Sequence, residues 1–105
     1  MAQFSLYKNK NARTRTTFPL LVDVQTDLLE DLQTRVVIPL TKATTLTKKP
    51  MSQLTPPVEH EGELYLLMTP LLAGVARSDL GAETGNLSES RIVILGAMDF
   101  LLTGF

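Results

Sequence analysis

The apolar positions of this chain fall into short alternating runs, followed by one long apolar segment at the end. In Gln3 to Lys8, Phe4 and Leu6 face one way and Ser5 and Tyr7 the other, which predicts a half-buried strand. Lys8 to Thr17, KNKNARTRTT, is polar and basic without periodicity and reads as a loop. Phe18 to Val24 forms the next strand, with Pro19 near its start, where a missing N–H is tolerated. Leu28, Leu29 and Leu32 have helical spacing, but a strand end followed by a turn fits Gln25 to Leu32 equally well. Arg35 to Leu40, RVVIPL, is a β-branched strand in which Pro39 marks an edge or a bend.

Thr41 to Thr55 is rich in Thr and Lys, contains Pro50, and reads as loop with at most one short strand. Val58 to His60 and Glu63 to Thr69 flank Glu61-Gly62 and predict a hairpin. Leu71 to Leu80 is weakly patterned, and Gly81 to Gly85 reads as a turn. Asn86-Leu87-Ser88-Glu89 has capping-box spacing, so the final helix is expected to begin there and to stop at Gly104. Strands followed by one terminal helix predict a mainly β domain.

That helix is the most informative segment. Ile92 to Leu102 reads IVILGAMDFLL, broken only by Gly96 and Asp99. Such a helix needs cover from its own domain on one face and from another chain on a second. A homodimer is therefore expected, with Gly96 and Leu102 at the interface. A mid-helix glycine costs about 1 kcal/mol unless close approach repays it. Asp99, the one charge in the segment, belongs either at an interface or at the helix–solvent boundary. Thr103, Gly104 and Phe105 are expected at or beside the covered surface.

Composition narrows the function classes. The chain has 105 residues, 44% hydrophobic and 20% charged, enough for one small folded domain. A net charge of −1 argues against indiscriminate binding to nucleic acid or anionic membrane. The absence of cysteine excludes disulfides, thiolate catalysis and zinc–thiolate sites. MAQFSLYKNK has no apolar core of a secretory signal, and no run is long enough for a convincing membrane span. The expectation is a soluble cytoplasmic protein.

No catalytic constellation emerges. His60, the single histidine, lies among Glu59, Glu61 and Glu63, but alternation on a hairpin puts such residues on a solvated face rather than around a metal. There is no nucleophile elbow and no phosphate-binding glycine motif. The basic loop with Lys8, Lys10, Arg13 and Arg15 lacks interleaved aromatics for base stacking and is read first as solvated. Asp23, between Val22 and Val24, is expected to point to solvent or to bond a loop backbone. No catalytic residue, metal or cofactor is expected.

Several blocks resemble a known family. Gln3-Phe4-Ser5-Leu6-Tyr7, then LVDVQTDLL from Leu21 to Leu29, then RVVIPL from Arg35 to Leu40, Met68-Thr69 and the helix closing on Gly104 are similar, in that order, to the CcdB toxins of toxin–antitoxin modules. The Lys42 to Val58 stretch matches only loosely. The resemblance implies an SH3-like β-barrel or five-stranded antiparallel sheet, a small accessory sheet, a C-terminal α-helix and a tight homodimer. It also implies a non-enzymatic toxin that binds the A subunit of DNA gyrase and traps the cleaved DNA complex. A cognate CcdA-like antitoxin would neutralise it, with DNA reached only indirectly through the antitoxin complex in autoregulation. The implied gyrase-binding residues are Thr26, Leu28, Leu29, Asp99, Thr103, Gly104 and Phe105. Thr103 departs from the pattern, because the best-known plasmid members carry tryptophan there, and threonine offers far less contact area. Two alternatives remain: a MazF/Kid-like endoribonuclease toxin, or a weakened homologue kept as an antitoxin-binding co-repressor.

Overall fold

The computed structural model describes residues 2–29, 31–45 and 53–104. Among the described residues, seven antiparallel strands form one curled sheet, and one α-helix follows them. The strands are β1 (Ser5–Asn9), β2 (Leu20–Asp23), β3 (Thr34–Lys42), β4 (Pro57–His60), β5 (Glu63–Leu67), β6 (Ala73–Ala76) and β7 (Leu80–Asn86), and the helix is α1 (Arg91–Thr103). The order across the sheet is β4-β5-β3-β2-β1-β7, with β6 also on β3. The expected accessory sheet is thus continuous with the main one through β3.

β3 is the organising strand. It pairs with β2 on one side; on the other it pairs with β6 along Thr34 to Val37 and with β5 along Leu40 to Lys42. Pro39 lies in the gap between those two partners, and its carbonyl accepts the Met68 N–H at 2.9 Å. The proline therefore sits inside the sheet without breaking a ladder. It marks neither an edge strand nor a turn, but the point where one partner replaces another.

Alternation sorts the side chains between two apolar clusters. Leu6, Val22, Ile38 and Leu40 join Phe4, Leu20, Leu67 and Leu87 in the main core, where Ile94 and Ala97 bring in α1. Tyr7, Leu21, Val37 and Leu80 form a smaller cluster on the opposite face. β1 is therefore covered on both faces rather than one: Phe4, Ser5, Leu6 and Tyr7 are all buried.

The hairpin between β4 and β5 turns at Glu61 and Gly62, both with positive φ, as the two-residue link requires. Two other expectations fail. Gly81 to Gly85 is not a turn but the middle of β7, paired with β1 through an irregular register. β6 lies within the weakly patterned stretch from Leu71 to Leu80. Both were hidden because only Leu80 in either strand is buried, so burial gives no period-2 signal. Nor does a capping box start the helix. Asn86 Oδ1 accepts the Ser88 N–H at 2.7 Å, a 3-10 turn spans Ser88–Ser90, and α1 begins only at Arg91. Gly104 does end it, with φ +81° and its N–H on the Phe100 carbonyl at 2.9 Å. Of the expected Thr41 to Thr55 loop, Thr41 and Lys42 instead end β3, a 3-10 turn follows at Ala43–Thr45, and residues 53–55 are described; residues 46–52, with Pro50, lie outside the described residues.

Candidate functional site

The ambiguous stretch after β2 resolves into a 3-10 turn, Asp27–Leu29. It carries Leu28, 91% exposed, with Leu29 and Leu32 each about half exposed. An apolar side chain displayed this fully gains nothing from burial in its own fold.

The turn is held from beneath by buried polar groups. Asp23 and Arg35 are both fully buried and form an ion pair, Arg35 Nε to Asp23 Oδ2, at 2.7 Å. The other Asp23 oxygen accepts the Gln25 N–H at 3.0 Å. Arg35 Nη2 reaches the Gln25 carbonyl at 3.4 Å. The Gln25 side chain then links strand to turn: its Oε1 accepts the Val36 N–H at 3.1 Å, and its Nε2 donates to the Leu29 carbonyl at 3.0 Å. From the other side, the Gln3 N–H donates to Asp27 Oδ1 at 2.6 Å and Gln3 Nε2 to the Val24 carbonyl at 3.1 Å. Asp23 does bond a loop backbone, as expected, but it is buried and paired rather than turned to solvent.

Phe4 holds the same corner. Its backbone has φ 70°, an uncommon conformation for an aromatic residue, and its N–H donates to the Asp23 carbonyl. Its carbonyl accepts the Leu87 N–H, and the Arg91 guanidinium lies 5.8 Å above its ring. The start of α1 and the end of β2 are thereby tied through one residue.

α1 buries Ile94 and Ala97 and leans Leu95 and Met98 on the core. Its opposite face is open: Ile92 is 84% and Leu102 76% exposed, with Val93 and Gly96 also exposed. Val93, Gly96 and Phe100 line a groove of about 250 Å³ with Pro56 and Gln53. Among the described residues, nothing beyond the helix's own neighbouring backbone comes within 4 Å of a Cβ built on Gly96, so packing among them does not explain the glycine. Asp99 and Gly104 are exposed, and Thr103 Oγ1 bonds the Asp99 carbonyl at 2.7 Å. Phe105 lies outside the described residues.

The expected contact residues therefore form two groups. One is Thr26, Leu28 and Leu29 on the rigid turn, and the other Asp99, Thr103 and Gly104 at the end of the helix. No hydrogen bond or ion pair joins them among the described residues. The sequence reading missed Gln3, Gln25 and Arg35, which mount the turn. The available signal was one acid and one base interrupting two adjacent apolar strands.

Among the described residues, no group of three or more His, Cys, Asp or Glu is placed to hold a metal ion, so Glu59, His60, Glu61 and Glu63 form no such cluster. His60 is mostly buried; its Nε2 lies 3.8 Å from Glu61 Oε1 and makes no hydrogen bond. No helix among them is long and apolar enough to cross a membrane.

A curled antiparallel sheet covered on one face by a C-terminal helix, with exposed apolar residues on helix and turn, defines a small mainly β domain. Residues 3–104 match the family model described as CcdB protein, and the chain belongs to the CcdB family.

Proposed function

We propose that this chain is the toxin of a type II toxin–antitoxin pair, acting in the cytoplasm on DNA gyrase. In this reading it binds the gyrase A subunit, traps the cleaved DNA complex, and is neutralised by a cognate CcdA-like antitoxin with which it autoregulates transcription. It acts by contact rather than as an enzyme. Family membership supports the class. The observation that carries the mechanism is Leu28: a large apolar side chain exposed at 91% on a turn that the buried Gln25 side chain ties to β3. A rigid apolar anchor loses little conformational freedom on binding. Thr26, Leu29, Asp99, Thr103, Gly104 and Phe105 complete the proposed gyrase surface. The open face of α1, with Gly96 and Leu102, is the proposed homodimer contact, since a two-fold axis lets one apolar patch cover itself.

The test is gyrase supercoiling and cleavage-complex assays on the full chain, on Leu28→Glu, and on a chain ending at Leu102. The full chain should inhibit, and both variants should lose inhibition while keeping the wild-type circular dichroism spectrum. Equal inhibition by the truncated chain would place the contact on the turn alone. No inhibition by any form, with RNA degradation instead, would favour the ribonuclease reading.

A further inference from the structure

The basic loop between β1 and β2 is exposed to solvent, as expected, and is also internally hydrogen-bonded. Asn9 Nδ2 donates to Thr14 Oγ1 at 3.0 Å and to the Phe18 carbonyl at 2.9 Å. Asn9 Oδ1 accepts the Asn11 N–H, and Asn11 Oδ1 accepts the Arg13 N–H. The Phe18 N–H returns to the Thr14 carbonyl at 2.8 Å. These bonds give the loop a fixed shape, and that shape sorts its charges. Lys8, Lys10, Arg15 and Lys42 line one groove of about 620 Å³, and among the described residues no acidic side chain lines it. Lys42 shares its charge with Glu63 at 3.4 Å. β7 crosses close to this wall. A Cβ on Gly81 would meet the Lys8 carbonyl oxygen at 2.7 Å and Lys10 Cγ at 3.2 Å, so a glycine there is what lets the strand pass.

Charge is thus segregated on a chain that is nearly neutral overall, with ten basic and eleven acidic side chains. We propose that this groove is a sequence-independent contact site for the phosphate backbone of nucleic acid. A duplex presents its phosphates already ordered, so three cations and a concave wall can hold it without an apolar anchor. An acidic peptide would first have to be ordered, at about 1–2 kcal/mol per residue. Tyr65 and Leu20, the large apolar residues of the lining, are themselves buried and present little surface to anchor one. Arg15 supplies the forked donor suited to a phosphate, and the lysines act as point charges. With no exposed aromatic in the lining, bases are not read.

The experiment is fluorescence anisotropy of a labelled duplex of about 20 base pairs with the full chain, across a salt series. Three phosphate contacts give a log–log salt slope of about −2.7, a loss of about forty-fold between about 50 and 200 mM salt. Lys10→Gln combined with Arg15→Gln should reduce that slope to about −0.9 and the loss to about three- to fourfold. Both side chains are exposed, and an unchanged melting temperature checks the fold. Arg13→Gln, in the same loop but outside the groove, should keep the wild-type slope. No binding at about 50 mM salt, or equal slopes for the double and wild-type chains, overturns the proposal. So does displacement of the duplex by charge-matched poly-glutamate at equal concentration, which would assign the groove to an acidic peptide.

Discussion

The His60 imidazole occupies the space that a side chain on Gly85 would need. A Cβ built at Gly85 collides with His60 Cε1 and comes within 3.2 Å of its Nδ1. His60 ends β4, at one edge of the sheet, and Gly85 lies in β7, at the other. The contact is where the curled sheet closes on itself.

Gly85→Ala should therefore destabilise the chain by about 1–3 kcal/mol, the cost of overpacking a filled site. His60→Ala alone should also destabilise, by leaving a void. The double variant should be more stable than the sum of the two single effects, because each change relieves the other. Urea unfolding of the four proteins checks this; additive effects would mean that the two side chains do not compete for one space.

The buried pair beneath the Asp27–Leu29 turn makes a second prediction. Removing one partner, by Asp23→Ala or Arg35→Met, leaves an uncompensated buried charge and should cost about 3–5 kcal/mol. Replacing both together with apolar residues should recover much of that loss. Denaturant midpoints for single and double variants are the measurement, and a double variant no better than the worse single one would contradict it.

Gly96 separates the fold from the proposed interface. Among the described residues nothing outside the helix backbone approaches its Cβ position, so Gly96→Ala should raise helix stability by up to about 1 kcal/mol in the monomer. Gly96→Leu should instead block self-association if the groove beside Val93 and Phe100 is the dimer contact. Sedimentation equilibrium at micromolar concentration should give twice the 11.6 kDa chain mass for wild type and a monomer for Gly96→Leu. A wild-type monomer would remove the dimer from the proposal.

Tyr7 sets an alkaline limit. Burial raises its phenol above the ordinary value of 10.0, opposed by a hydrogen bond with Ser5 and reinforced by the Glu83 carboxylate, which accepts the hydroxyl at 3.3 Å. The folded state therefore holds this proton more tightly than the unfolded chain. The stabilisation is fully present below the unfolded value and is lost as pH rises through the raised folded one. Stability measured from about pH 9 upward should fall more steeply for wild type than for Tyr7→Phe. Parallel curves would show that another group controls the alkaline transition.

The proposed site was legible only in part. Leu28 and Leu29 were marked only by the family resemblance of the LVDVQTDLL block, and the helix end by the apolar run that leads into it. The mount of the turn was not marked: the Asp23–Arg35 pair spans twelve positions, and Gln25 reaches both Leu29 and Val36. No local pattern reports that these groups meet.

The sequence by itself determined β1, β2, β3, the β4–β5 hairpin and the terminal helix. Each of these carries its own signal: alternation in β1, apolar and β-branched runs in β2 and β3, the two-residue link at Glu61 and Gly62, and the long apolar run closed by Gly104 in the helix. Only the tertiary structure decided that Leu80–Asn86 is a strand and not a turn. Its glycines are needed by neighbours far away in the chain, Gly81 by the Lys8 backbone and Gly85 by His60. Likewise Pro39 signalled an edge or a bend and lies inside the sheet, because β6 and β5 divide β3 between them on either side of it. Local periodicity records which face of a segment is buried. It does not record which segments lie beside it, and that pairing gave the two glycines, the proline and the buried charges their roles.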